Sequence, residues 1–175
     1  MFKKITLVLV FLIAGVLSFA ASKPDSFSVR RAESVKAPPA KIFELINDFR
    51  RWESWSPWEK KDPAMKRIYG AVASGKGATY AWDGNNDVGQ GSMEIVESNP
   101  SVKIALKLDF VKPFEGHNRV EFTLESKGEM TEVTWMMQGP APFMSKLMQV
   151  FVSMDSLIGK DFEAGLVNLK AAAEK

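Results

Sequence analysis

At 175 residues, with 46% hydrophobic and 25% charged side chains, the chain is long enough for one globular domain with a real core and cramped for two. Its 23 Lys and Arg stand against 21 Asp and Glu, and the formal charge of +2 is accounted for by Lys3 and Lys4, which removes the electrostatic case for a nucleic-acid partner. With no cysteine, disulfides, thiolate metal sites, iron–sulfur clusters and cysteine nucleophiles are excluded, so packing alone must hold the fold.

The chain starts with a basic segment, Met1 to Lys4, followed by an uncharged stretch from Ile5 to Ser22. The apolar run Ile5 to Leu17 and the small-x-small triplet Ser18-Phe19-Ala20 have the layout of a cleaved signal peptide. As a helix the uncharged stretch reaches about 27 Å, which also just spans a bilayer. Residues 1–22 are therefore read as a signal peptide or a membrane anchor, with membrane contact through residues 5–22 if uncleaved. Either way the rest of the chain is expected on the extracytoplasmic side of the cell envelope, although Lys23, Arg30 and Arg31 weaken the positive-inside asymmetry.

Residues 23–26 form a polar spacer, and Phe27 to Val35 has the length and β-branched content of a first strand. Pro38 and Pro39 sit where a helix accepts proline, and Ile42, Phe43, Leu45, Ile46 and Phe49 then recur on one face, predicting a short helix from Pro39 to Asp48. In Arg51 to Pro63, Trp52, Trp55 and Trp58 recur every third residue and Pro57 breaks any long helix, predicting one helical turn and a loop.

From Lys66 to Gln138 the period switches to two, punctuated by Gly, Asn and Pro turns. Six strands are expected: Lys66 to Ala71, Ala78 to Asp83, Gly89 to Glu97, Val102 to Phe110, Asn118 to Ser126 and Met130 to Gln138. Short links make them an antiparallel meander. Pro140 and Pro142 end the sheet, and apolar residues from Phe143 to Leu169 keep helical spacing, predicting one long helix from Phe143 to Ala173. This element order specifies an α+β helix-grip domain over residues 27–173. A curved antiparallel seven-stranded sheet wraps around a long C-terminal helix, with two short helices after the first strand.

The segments APPAKIFELINDFRRWESWSPWEKKDPAM, KPFEGHNRVEFTLES and TEVTWMMQGPAPFMSKLM resemble the polyketide cyclase/dehydrase-type members of the START-like (SRPBCC, Bet v 1-like) superfamily. The likeness covers Phe27 to Ala173. It implies the helix-grip fold and, because the superfamily spans lipid carriers, hormone receptors, cyclases and chaperone activators, it leaves function to the residues of the site.

Strand parity then selects the face toward the helix. Val102, Ile104, Leu106, Leu108 and Phe110 share one side of their strand, and the same test turns Tyr80, Trp82, Phe122 and Trp135 inward, with Asn118 at the start of its strand. Trp55 and Trp58, with Trp52, are expected as the wall of the cavity mouth or its flanking core, and Met144, Met148 and Phe151 are expected to face the space from the long helix. These twelve residues, from Trp55 to Phe151, are the expected ligand site: Trp55, Trp58, Tyr80, Trp82, Leu106, Phe110, Asn118, Phe122, Trp135, Met144, Met148 and Phe151.

No catalytic residue, metal or cofactor is indicated. His117, the single histidine, and Glu94, Asp109 and Glu121 fall on the outward side, and the Gly75-Lys76-Gly77 and Gly89-Gln90-Gly91 triplets read as hairpin turns rather than phosphate loops. The expected function is non-enzymatic binding or transport of a hydrophobic small molecule or lipid. The alternatives are a cyclase/dehydratase-like enzyme, which needs a polar acid or base inside the cavity, and a protein-interaction module of the chaperone-activator type, which needs a filled core and a large exposed apolar patch.

Overall fold

The structure, a computed structural model, describes the backbone of residues 2–175 and the side chains from Lys4 onward. Met1 and the side chain of Lys3, part of the expected basic start, lie outside the described residues. Helix α1 (Phe2–Ala21) is, among the described residues, the one helix long and apolar enough to cross a membrane. Its apolar side chains are exposed along nearly its whole length, and Ala20 near its end is fully buried.

The domain proper starts with β1 (Ser26–Val35), then α2 (Pro39–Asn47), a 3-10 turn (Phe49–Ser54) and α3 (Pro57–Lys61). Strands β2 (Lys66–Tyr69), β3 (Thr79–Asp83), β4 (Gln90–Asn99), β5 (Lys103–Lys112), β6 (Gly116–Lys127) and β7 (Met130–Pro140) form the meander. The strand order β1-β7-β6-β5-β4-β3-β2 makes one antiparallel seven-stranded sheet, with β1 paired to β7 from Ser26↔Pro140 to Val35↔Thr131. Register shifts between Gln90 and Gly91 and between Ile95 and Glu97 insert bulges in the β4–β5 pair, and each bulge adds to the bend of the sheet.

The three tryptophans spaced by three have separate duties. A helix end leaves its last carbonyls without partners. The Trp52 indole N–H donates to the Ile46 carbonyl (2.8 Å) and that of Trp55 to the Leu45 carbonyl (3.0 Å), so both close the C-terminal end of α2. Both rings are buried in the core against Phe122. Trp58, in α3, instead sets its edge against Trp135 and Phe162.

The C-terminal region departs from the single helix expected over Phe143 to Ala173. It forms α4 (Phe143–Met148), a turn over residues 149–153, and the long helix α5 (Met154–Ala173). The physical reason is a local competitor: the Ser153 hydroxyl accepts from the Ser156 N–H (3.1 Å) and caps a new helix start, supported by Asp155 in its first turn. Residues Phe143 to Val152 keep apolar helical spacing, yet five of them are exposed, so that period does not record a core face.

Helix α5 lies mainly along β1 and against α2 and α3, fixed at its rim by Arg31 to Asp155 and Glu163 (2.7 Å each) and by Lys170 to Glu33 (2.7 Å). Gly165 permits a close approach to the sheet: a Cβ there would lie 2.7 Å from the Trp135 ring and 3.1 Å from Pro57. The Trp135 ring stacks on Phe162 at 4.2 Å between centroids. Replacing Gly165 by Val is therefore expected to push α5 off Trp135 and destabilise the domain by about 1–3 kcal/mol despite the gain in helix propensity. Urea unfolding followed by near-UV circular dichroism checks this, and an unchanged midpoint would contradict the close approach.

Candidate functional site

Because α5 sits over β1 and the short helices, the concave face of β3, β4 and β5 is not filled by it. A cavity of about 440 Å³ remains there, within the range of small-molecule sites. Its walls come from every layer of the domain. Tyr80 and Trp82 on β3 stack at 5.9 Å, Phe110 on β5 meets Trp82 edge-on at 5.8 Å, and Trp135 with Trp58 and Phe162 forms the side under α5. Met93, Leu108, Val120 and Met137 complete the sheet side, and Leu157 and Ile158 in the first turn of α5 complete the helix side. Asn86, Asp87, Lys112 and a Lys61–Asp161 ion pair of 2.7 Å, which ties α3 to α5, supply the polar part of the lining.

Of the twelve residues expected to bind ligand, Trp58, Tyr80, Trp82, Phe110 and Trp135 come together in this lining. Trp55, Leu106 and Phe122 face inward but are packed solid, each at most 1% exposed. Their strand or helix face is as expected; they are core, because the α2 cap brings Trp55 down onto Phe122. Asn118 stands beside Gly139 and Phe27 at the β6–β7 margin, away from the cavity.

Met144, Met148 and Phe151 are exposed on the outside of the domain, since the break at residues 149–153 turns α4 away from the sheet. Val102 is also exposed, because β5 starts only at Lys103. His117 is exposed on β6, with Nδ1 2.7 Å from Asp109 Oδ1, and does not line the cavity.

Sequence parity missed Asn86, Asp87, Lys112, Lys61 and Asp161 in the lining and, most deeply set, Glu59. Glu59 projects from α3 into the cavity wall, its side chain 9% exposed, and Oε2 accepts from Arg67 Nε (2.8 Å) and Nη2 (2.5 Å). The Tyr80 hydroxyl donates to Glu59 Oε1 at 3.3 Å. The segment PWEKK is too short to show a period, and a carboxylate beside two lysines reads as solvated. The one usable signal in the sequence is its neighbour Trp58, expected in the wall of the cavity mouth or its flanking core.

The remaining polar groups divide into engaged and free. Trp82 Nε1 donates to the Val88 carbonyl (3.0 Å), which locks its ring against the β3–β4 loop. Trp135 Nε1 and the Tyr69 hydroxyl are buried without a hydrogen-bond partner among the described residues. A buried donor left unpaired costs about 1–3 kcal/mol, so the Trp135 N–H is a ready donor to an acceptor atom entering the cavity that this residue lines.

Residues 26–174 match the family described as polyketide cyclase / dehydrase and lipid transport. The chain belongs to that family. No curated protein matches this family member in sequence. A solved structure from Rhizobium leguminosarum is similar with a TM-score of 0.62 at 14% identity, over 85% of this chain and 95% of its own. The Aha1 dimer from Colwellia psychrerythraea is similar with a TM-score of 0.61 at 16% identity, over 85% and 96%.

DynU16, from the dynemicin biosynthetic locus, is similar with a TM-score of 0.57 at 19% identity, over 85% of this chain. The chain spans about half of DynU16, 47% of its length. At these identities the likeness carries the fold, a Bet v 1-like helix grip, and no more.

In this polyketide cyclase/dehydrase family member the rings of the two tyrosines of the chain, Tyr69 and Tyr80, meet tilted at 5.3 Å beside the cavity. Burial pushes both hydroxyls above the usual tyrosine range; at Tyr80 the neighbouring Glu59 charge adds to it, and at Tyr69 Glu53 and Glu59 do. The folded state thus favours the protonated phenols, while unfolded tyrosine ionises near about pH 10. Their contribution to stability is complete below that pH and is lost as pH rises toward the folded-state values. Phenolate absorbance of the native protein is expected to appear only above pH 10, and Glu59→Gln should bring the Tyr80 transition down. Normal titration of both tyrosines would contradict the enclosed site.

Proposed function

We propose that this protein binds a hydrophobic small molecule or lipid in the cavity between the sheet and α5, without catalysing its conversion, at the extracytoplasmic face of the cell envelope. The observation that carries the reading is the lining. Trp58, Tyr80, Trp82, Phe110 and Trp135 enclose an apolar space in which Trp135 has an unpartnered N–H. Apolar burial supplies affinity, and one donor to a ligand carbonyl, ester or hydroxyl oxygen fixes orientation. The family description, which includes lipid transport, supports the same reading.

The envelope location rests on α1, whose exposed apolar surface suits a signal anchor or a signal peptide. Among the alternatives, a cyclase/dehydratase-like activity is favoured by Glu59 and Tyr80 in the wall. Against it, both oxygens of Glu59, the carboxylate beside Tyr80, are engaged, Oε2 by Arg67 and Oε1 by Tyr80, so Glu59 is not a free base. A chaperone-activator role calls for a filled interior and a large exposed apolar patch; the exposed apolar residues from Phe143 to Val152 favour it, and the cavity argues the other way.

The test fills the space. Met93 lines the cavity and is half-buried, so Met93→Trp should be accommodated at little cost, whereas in a packed core the same change would cost about 1–3 kcal/mol. Native mass spectrometry of protein taken from its host membranes is expected to find an apolar molecule on the wild type and none on Met93→Trp. A wild type that carries no such mass and takes up no fluorescent fatty-acid analogue, together with a destabilised Met93→Trp, would overturn the binding reading.

A further inference from the structure

Five exposed apolar residues before α5 form one run on the outside of the domain. Phe143, Met144 and Met148 on α4, with Phe151 and Val152 in the turn after it, are 44–75% exposed. Scattered exposed apolar residues need no explanation, but five within ten positions do. Between Gly139 and Met154 the single charged residue is Lys146. Its side chain is buried and ion-paired with Asp25, which is itself exposed in the link before β1, so the one charge inside this segment is neutralised at the segment's edge.

The placement of α4 says what covers it. Asp25 lies in the short link between α1 and β1, and it holds α4 twice, through the Lys146 ion pair and through its carbonyl, which accepts from the Ala141 N–H (2.7 Å). Helix α1 packs directly on α4. The apolar run is therefore continuous with the end of the segment read as entering the bilayer, and the link is too short to lift it away.

The strand register puts the cavity at the same end. Ser26 and Pro140 pair where α1 arrives and α4 departs, and the strand ends Lys112, Gly116 and Gln90 fall on that side of the sheet. Gly89, Lys112 and Pro113 line the cavity there, as does Leu157 of the first turn of α5, directly after the run.

We propose that α4 and the turn that follows it are a membrane-docking face, which lies on the same bilayer that α1 enters and turns the cavity mouth toward the lipid surface. The ligand class of the cavity is then a bilayer lipid, loaded from the membrane rather than from solution. Apolar side chains at such a face sink into the boundary between headgroups and acyl chains. The inference rests on the binding reading above and on α1 remaining as an anchor.

The absence of cysteine makes the test direct, because each introduced cysteine is the only labelling site. The full chain is reconstituted in phosphatidylcholine vesicles carrying Met144→Cys, Phe151→Cys, Phe114→Cys or Val102→Cys, each labelled with bimane; all four positions are more than half exposed, so the core is untouched. Phe114 marks the β5–β6 turn beside the mouth, and Val102 marks the opposite end of the sheet. Retention of the chain by the vesicles through an alkaline wash reports α1 separately.

Lipids with a doxyl group near the headgroup are expected to quench positions 144, 151 and 114 about twofold and to leave position 102 unchanged, as burial at the interface requires. Retention with no more quenching at 144 and 151 than at 102 would overturn the docking face while leaving the anchor intact. Shielding of 144 and 151 that grows only with protein density would also overturn it, by assigning the face to a second copy of the chain. Quenching at 144 and 151 without 114 would overturn the placement of the mouth. Release of the chain by alkali would overturn the anchor, and an empty cavity in the mass measurement would overturn the ligand reading on its own.

Discussion

The contact of α5 with the sheet at Gly165 decides where the interior of this protein is full and where it is empty. Only a residue without a side chain lets the helix come down on the Trp135 ring, and that ring then stacks on Phe162 one turn earlier. The helix is drawn to the β1 and β7 side, where Arg31 and Glu33 hold its outer face. Those exposed ion pairs set direction more than stability. A single helix cannot cover a bent seven-stranded sheet from edge to edge, so seating it over one side leaves the concave face of β3 to β5 open.

The satisfaction of buried polar groups follows from the same geometry. Trp52 and Trp55 spend their indole N–H groups on the last carbonyls of α2, and Trp82 spends its own on the β3–β4 loop. Thr131 does likewise for the Ala37 carbonyl at 2.7 Å. Against that background the Trp135 N–H and the Tyr69 hydroxyl stand unpartnered among the described residues, and the Trp135 N–H lies in the wall of the cavity, where a partner can arrive from outside the chain. Glu59 is the converse, a carboxylate in an apolar wall whose cost is offset by the Arg67 fork and the Tyr80 hydroxyl.

At the other end of the molecule, the break between α4 and α5 separates two kinds of apolar surface. Residues after Ser153 face the sheet, with Phe162, Leu166 and Leu169 buried. Residues before it stay outside, tied to the α1 link through Asp25, whose carboxyl the Lys146 ammonium holds below the usual carboxylate range. One capping serine thus divides a segment that is continuous in hydrophobic period but not in environment.

The amino-acid sequence by itself determined the α+β order of elements, the inward parity of the sheet and the aromatic character of its inward face. Those follow from local periods of two and 3.6 and from proline and glycine punctuation, which are properties of neighbouring residues. It also marked α1 as a segment apart.

Only the tertiary structure decided which inward residues enclose space and which fill it. Trp55, Leu106 and Phe122 differ from Trp58, Tyr80 and Trp135 in nothing that a strand or helix period records, because the distinction depends on where α5 lands. The outward turn of Met144, Met148 and Phe151 was hidden for a related reason: helical spacing looks the same whether the apolar face meets a sheet or a membrane. Glu59 lay beyond reach because a five-residue helix has no period to read, and its partners Arg67 and Tyr80 are brought to it by the pairing of β2 with β3.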